Sequence, residues 1–276
     1  MIITGKRALV LGAARGIGLA IARILAGQGV RLVLPWFDWP ESVAALHREF
    51  DGGQEDGHLL MRADLRQADE VAALASAIGE RFGGLEIVVN NIERGGMPIL
   101  HGGYDRAVNR EQWQLEMDTT LHAKWLVFDH TLPLLRRSET ATVVNVSSIA
   151  GIVGRSGPAG LVFNDAYAAA NRGVRALTET WARIGAPSIR VNEIMLGLID
   201  SRHGPGTEGW KLLSDEQQHD LLRHTLLRRT GTPEEVARAV LFLIRDADFL
   251  TGAVLRLDGG YVAGGEGVSV MPDGIL

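Results

Sequence analysis

The sequence predicts an α/β fold of the doubly wound type, with one open, seven-stranded parallel sheet and helices on both faces. Three observations carry this. Short apolar runs of strand length alternate with amphipathic helical patterns, and parallel strands need crossover connections of that kind. The first run, Ala8-Leu9-Val10, turns through Gly12, Gly16 and Gly18 into a helical pattern, the arrangement that holds a dinucleotide pyrophosphate. With 276 residues, 46% of them hydrophobic, the chain is long enough for one large core.

The expected strands, in order, are Ala8–Leu11, Arg31–Leu34, Leu59–Arg62, Ile87–Asn90, Thr142–Val146, Arg190–Ile194 and Val254–Leu257. Between them, apolar positions recur at helical spacing in Leu19–Ala26, Val71–Arg81, Trp113–Leu135, Ala168–Ile184 and Glu234–Ile244. Thr232-Pro233-Glu234-Glu235 reads as a helix start, with proline in the first turn and acids at the positive end of the dipole. Two stretches read as irregular: Gly95–Arg110, with four glycines and a proline, and Ser201–Gly209, which precedes the polar helical pattern Leu212–Leu227. No repeat or low-complexity linker divides the chain. The expectation is a single domain over 1–262, a variable loop at about 198–227 and a C-terminal arm at 263–276.

A net charge of −5 argues against a nucleic-acid partner. No apolar run approaches the length needed to span a bilayer, and no secretion signal opens the chain, so the expected location is cytoplasmic. There are no cysteines, which excludes thiolate metal sites, and the eight histidines show no ligand-like spacing. No metal is expected. Only three lysines occur, Lys6, Lys124 and Lys211.

In the glycine turn, Gly12, Gly16 and Gly18 let the backbone turn tightly and come close to phosphate oxygens. Ile17 and Gly18 begin the helix whose free amides and dipole would meet the pyrophosphate. Asp64-Leu65 follows the third strand; the carboxylate could accept from an adenine amino group or cap the next helix. At the end of the second strand, Asp38 could take a ribose hydroxyl and favour NAD. Arg15 could instead meet a 2′-phosphate. The balance leans to NADP, with NAD left open by Asp38.

Gly12-x-x-x-Gly16-x-Gly18, Asp64, Asn90-Asn91, Asn145-Val146-Ser147-Ser148-x-x-Gly151, Tyr167, Arg190-Val191-Asn192 and Leu250-Thr251-Gly252 leading to Asp258-Gly259-Gly260 together resemble the short-chain dehydrogenase/reductase family, over nearly the whole chain. The resemblance implies a Rossmann-like fold, an NAD(P) cofactor flanked by Asn91 and Gly197, and hydride exchange with a secondary alcohol or ketone. It also implies a homodimer or homotetramer joined through the helices of Trp113–Leu135 and Ala168–Ile184, acting on a small molecule.

The resemblance makes Tyr167 the proton donor and acceptor and Ser148, three residues before Gly151, the holder of the substrate oxygen. The family's lysine, one helical turn beyond the tyrosine, is Asn171 here, and the family's helix asparagine is Thr120. Glu93 stands where a glycine is expected, and about six extra residues lie within Gly154–Asn164. A free phenol titrates near 10, so a base working near neutrality needs a nearby cation. Asn171 keeps the capacity to hydrogen-bond a ribose but brings no charge, and Arg172 points around the helix, away from the site. Glu93 reads as a solvated or salt-bridged loop residue. Arg155, Arg202, His203 and Lys211 read as a solvated face. Two functions remain open: an NAD(P)-dependent oxidoreductase, or a catalytically impaired subunit of a homo- or hetero-oligomer with a competent relative.

Overall fold

A computed structural model describes residues 1–51, 57–93, 107–201, 208–265 and 268. Its strands are β1 (Arg7–Val10), β2 (Arg31–Trp36), β3 (Leu59–Arg62), β4 (Ile87–Asn90), β5 (Ala141–Ser148), β6 (Ile189–Leu196) and β7 (Val254–Leu257). They form one all-parallel sheet in the order β3-β2-β1-β4-β5-β6-β7. The expected seven-stranded parallel sheet is therefore present. Central strands are buried on both faces, which is why Ile87-Val88-Val89 and Thr142–Val146 read as nearly unbroken apolar runs.

The helices are α1 (Gly16–Ala26), α2 (Pro40–Phe50), α3 (Ala68–Phe82), α4 (Ala107–Glu116), α5 (Ala123–Leu135), α6 (Ala150–Val153), α7 (Asp165–Gly185), α8 (Glu208–Lys211), α9 (Asp215–His224) and α10 (Pro233–Arg245). On one face of the sheet Ile21 and Leu25 of α1 pack with Val240 and Ile244 of α10. On the other, Leu74 and Ile78 of α3 share a core with Phe128 of α5 and Trp181 of α7, whose rings stack with centroids 4.2 Å apart. Thr232 caps α10 as the sequence indicates, in a reciprocal box with Glu235.

Two differences stand out. Helix α2 was not among the expected helices; only Val43, Leu46 and Phe50 of its eleven residues are buried, too few for a clear periodic signal. The expected continuous helix from Trp113 to Leu135 is broken by a π-helical segment, Met117–His122, between α4 and α5. There the Ala123 amide reaches back to the carbonyl of Asp118, five residues earlier.

The strand order reverses between β1 and β4, which opens a crevice at the carboxyl ends of the strands. A third apolar cluster, including Ile149, Phe163, Tyr167, Trp210 and Tyr261, lies beyond the ends of β5 and β6, and its Phe163 and Tyr167 line that crevice. A 3-10 turn, Pro158–Leu161, occupies the stretch with extra residues. It is tied down by Tyr261, whose hydroxyl accepts the Ala159 amide at 2.7 Å. Most of Gly95–Arg110, residues 202–207 of the variable loop and most of the C-terminal arm lie outside the described residues. Among the described residues no helix is long and apolar enough to cross a membrane, and no cluster of metal-ligating side chains occurs.

Candidate active site

A cavity of about 490 Å³ fills the crevice, from the glycine turn at one end to Tyr167 at the other. The turn is built on backbone that side chains resist. Gly12 has φ +65°, and a Cβ there would sit 2.2 Å from the carbonyl oxygen of Asn91. A Cβ on Gly18 would sit 2.1 Å from the Gly12 carbonyl oxygen, so this glycine lets α1 close onto the turn and does not itself line the cavity. Gly16 also has positive φ, in more open space. Arg15, at the N-cap of α1, makes no side-chain cap bond, and the first turn holds no acid, so neither the cap nor the first turn competes with an anion for the helix N-terminus. Gly12, Gly16 and Ile17 line this end. The cradle fits a pyrophosphate.

Around it stand the other expected cofactor residues. Asn91 lines the cavity and ties the turn to β4, its side-chain amide donating to the Leu11 carbonyl at 3.3 Å. Gly197 lines the opposite rim, where a Cβ would meet Asp258 at 2.6 Å. Leu65 is a buried part of the wall. Asp64 lines it too, but its oxygens hold the guanidinium of Arg66 at 2.8 and 2.7 Å, a pairing that keeps the carboxyl below its usual range. Its alternative reading as a helix cap is corrected: α3 starts at Ala68 with Gln67 in the cap position. Asp38 lies on the exposed rim. Beside it the Arg15 guanidinium lies 3.6 Å over the Trp39 ring.

At the other end β5 delivers two serines. Ser147 donates to the buried carboxylate of Glu193 and is thereby committed. The Ser148 hydroxyl accepts the Ala150 amide at 3.1 Å, lines the cavity with Tyr167 and favours the ionised phenol, so of the two serines it is the one available to a substrate oxygen. Helix α7 supplies Tyr167 from its first turn. Asn164 caps that helix by accepting the Tyr167 amide at 2.8 Å and also reaches Glu116, which fixes where the phenol emerges. The phenol donates to Glu93 at 3.0 Å. Burial, then the negative charge of Glu93, push Tyr167 well above its ordinary 10.

Three sequence expectations are corrected here. Glu93 is not a solvated loop residue; its carboxylate sits in the cavity wall on the phenol. Asn171 does not face the cavity. It is fully buried, its amide nitrogen donates back to the Tyr167 carbonyl at 2.9 Å, and its Oδ1 has no partner. A ribose hydrogen bond from it would need the side chain to leave its own helix. Thr120 is also fully buried, donating to Glu116 at 3.3 Å, and its neighbour Thr119 is the residue that lines the cavity. Arg172 is exposed and away from the site, as expected. Of the basic face, Arg155 pairs with Asp165 at 3.5 Å, while Arg202 and His203 lie outside the described residues.

The sequence reading missed Lys124, Glu116 and Glu193, all fully buried near the site. Lys124 had a signal: it is one of three lysines and interrupts the apolar face of α5. Burial raises Glu116 and Glu193 above the usual carboxylate range.

The family model described as Enoyl-(Acyl carrier protein) reductase matches residues 12–262. The chain is 36% identical, over 92% of its length and 94% of the relative's, to a protein named ketoacyl reductase 2 of the granaticin polyketide synthase from Streptomyces violaceoruber. It is 32% identical to the 3-oxoacyl-[acyl-carrier-protein] reductase FabG of Vibrio cholerae, covering 94% of this chain and 98% of that one. Among solved structures, the ligand-free aldohexose dehydrogenase of Thermoplasma acidophilum superposes with a TM-score of 0.77 at 24% identity, over 97% of this chain and 98% of that one. That match speaks to the fold. The names of these relatives are those of reductases and dehydrogenases, and they lend no support to the reading of an inactive subunit.

Proposed function

The chain belongs to the short-chain dehydrogenase/reductase family and is an NAD(P)-dependent oxidoreductase; from that membership we propose that it reduces the ketone of a 3-oxoacyl thioester, with NADPH preferred. The single observation that carries the site assignment is the convergence of Ser148 and the Tyr167 phenol on the end of the cavity opposite the glycine turn. The bound nicotinamide supplies the hydride. Gly12, Gly16 and Ile17 hold the pyrophosphate, Asn91 and Gly197 shape the walls, and Asp64 with Leu65 flank the adenine end. Ser148 holds the substrate oxygen and Tyr167 gives it a proton. Leu115 and Phe163, on the cavity wall, keep water out. Asn171 and Thr120 support this from behind the wall, by packing. The substrate class is taken from what the relatives' names say of those proteins.

Arg15 supports the cofactor preference, because a guanidinium held over Trp39 at the rim is placed for a 2′-phosphate. Titration by nucleotide fluorescence is expected to show NADPH binding at least about tenfold tighter than NADH, with Arg15→Ala removing most of the difference. Equal affinity for both, unchanged by Arg15→Ala, would return the choice to Asp38. Turnover is tested with 3-oxoacyl thioesters against simple ketones; reduction of neither, in protein that binds NADPH, overturns the catalytic reading.

The raised Tyr167 also sets a direction. A phenol that stays protonated to high pH remains an acid for reduction, whereas alcohol oxidation needs the phenolate. Oxidation rates are therefore expected to be higher at pH 10 than at pH 7, while reduction shows no such rise. Initial rates in both directions check this, and an oxidation profile flat from pH 7 upward would contradict it.

Exposed Trp113 on α4, Trp125 on α5 and Ile184 on α7 leave apolar surface on the helices expected to join subunits. A homodimer or homotetramer is the proposed assembly, to be read by light scattering; a second subunit type is called for only if the homomer is inactive.

A further inference from the structure

The site needs a cation, and position 171 does not supply one. Lys124 does. Its side chain is fully buried, and its ammonium donates to the carbonyl of Ile92 and, at 2.9 Å, to that of Thr120. The first of these belongs to the peptide that joins Ile92 to Glu93, the residue on the Tyr167 phenol. The second belongs to the π-helical segment, four residues before Lys124. No solvent reaches this amine, so its charge acts on what surrounds it at low dielectric. The groups facing it are Glu93 on the loop after β4, Glu116 on α4 and Glu193 on β6, with Glu93 exerting the strongest pull. Arg175 and Glu179 of α7 act on Glu193 with opposite signs. Tyr167 completes the ring from α7 through its bond to Glu93.

From this arrangement we infer that Lys124 is a positioning residue of the active site: its buried ammonium offsets the charge of Glu93 and so keeps the Tyr167 phenol able to exchange its proton. Glu93 and Lys124 then explain each other. A carboxylate on the phenol opposes its ionisation, and a cation held on the neighbouring peptide opposes the carboxylate. Because Lys124 touches the Ile92 carbonyl, next to Glu93, rather than the reacting atoms, it acts through Glu93, and this separates it from a residue that binds substrate. Burial lowers Lys124 to about 8 against the pull of the three carboxylates, so the site carries a titration in a range where an ordinary lysine has none. The inference rests on the oxidoreductase reading of the pocket, but its test does not depend on turnover.

The chain has three tyrosines, Tyr104, Tyr167 and Tyr261, so tyrosine labelled with carbon-13 at Cζ gives a spectrum of three resonances, with Tyr167→Phe assigning its own. Between pH 6.5 and 10 the Tyr167 resonance is expected to follow a titration with a midpoint near 8. Lys124→Met is expected to abolish it and Lys124→Arg to move it out of range. In parallel, alcohol oxidation at pH 7, where the amine is still charged, is expected to fall about tenfold in Lys124→Met, as one unit of phenol pKa implies. That fall should vanish when the same change is made in Glu93→Gln, since there is no charge left to offset. A Tyr167 resonance that titrates identically in wild type and Lys124→Met overturns the inference, and so does an equal loss of rate in both backgrounds, which is what a purely structural lysine gives. If Lys124→Met does not fold, Glu93→Gln keeps the lysine in place and should itself remove the midpoint near 8; its persistence there overturns the inference. Should no substrate turn over, the function proposed above fails, and the resonance still decides this point.

Discussion

Tyr167→Phe is expected to lower kcat about a thousandfold while leaving NADPH affinity within a factor of three. General acid–base groups contribute roughly 10² to 10⁴ in rate, and here the phenol lines the cavity, together with Ser148, and carries a transferable proton held on a carboxylate. The ring itself packs among Ile149, Phe163 and the rest of the wall, so phenylalanine keeps the apolar contacts and removes only the oxygen. Stability should drop by about 1 kcal/mol, since Glu93 loses a donor. Steady-state rates with 3-oxoacyl thioester, together with a fluorescence titration of NADPH, separate the two effects. A variant that keeps a tenth or more of the rate would remove Tyr167 from the chemistry.

Gly12→Ala is expected to abolish measurable NADPH binding, a loss of more than about a hundredfold, and to destabilise the protein by about 2–4 kcal/mol. The new Cβ would lie 2.2 Å from the Asn91 carbonyl oxygen at a φ of +65°, and neither backbone can yield cheaply. Asn91 follows directly on β4, and Gly12 lies between β1 and the helix that meets the pyrophosphate. Gly16→Ala is the internal comparison. Its φ is +54°, but the nearest atom a Cβ would meet is Ser201 Cβ at 3.4 Å. The expected cost is therefore the left-handed backbone alone, about 1–2 kcal/mol, with NADPH binding weakened rather than lost. Thermal unfolding and the same titration report both. If Gly16→Ala proves the more damaging, the close approach to Asn91 is not what the turn depends on.

Much of this was legible before any coordinates. Strands over Leu59–Arg62, Ile87–Asn90 and Val254–Leu257 match the sequence reading residue for residue, because an apolar run bounded by turn residues is a local signal. The glycine turn was equally local, and its lining of the cavity follows from its place between β1 and α1. What was not legible is pairing across sequence distance. Glu93 and Tyr167 are 74 residues apart, and nothing in the neighbourhood of either indicates the other. A glutamate in a glycine-rich loop reads as solvated until the wall it joins is known. Asn171 illustrates a different limit. Its position on α7 was correctly placed, but whether its amide faces the cavity or folds back on the Tyr167 carbonyl depends on competition between two hydrogen bonds, which spacing does not rank. Lys124 was counted among three lysines and not followed further, because nothing local shows that a charged residue within an apolar helix is buried. Only packing from β6, α4 and α7 makes it a buried cation.

The π-helical segment has a consequence for how this chain tolerates change in length. Each residue of an α-helix advances about 100° around the axis, and a π turn takes in one residue more than an α turn does. Deleting one residue between Met117 and His122 would let α4 and α5 join as a single regular helix. Because the π turn closes one full revolution with its extra residue, the two halves would keep their present phase, and Leu115 and Glu116 would stay on the cavity wall and on Asn164. The segment is thus an absorbed insertion: one surplus residue is taken up locally, and neither the core half nor the pocket half of the helix is turned by it. A single-residue deletion here should fold and keep the pocket lining, which is the reverse of what deletions in helices usually do.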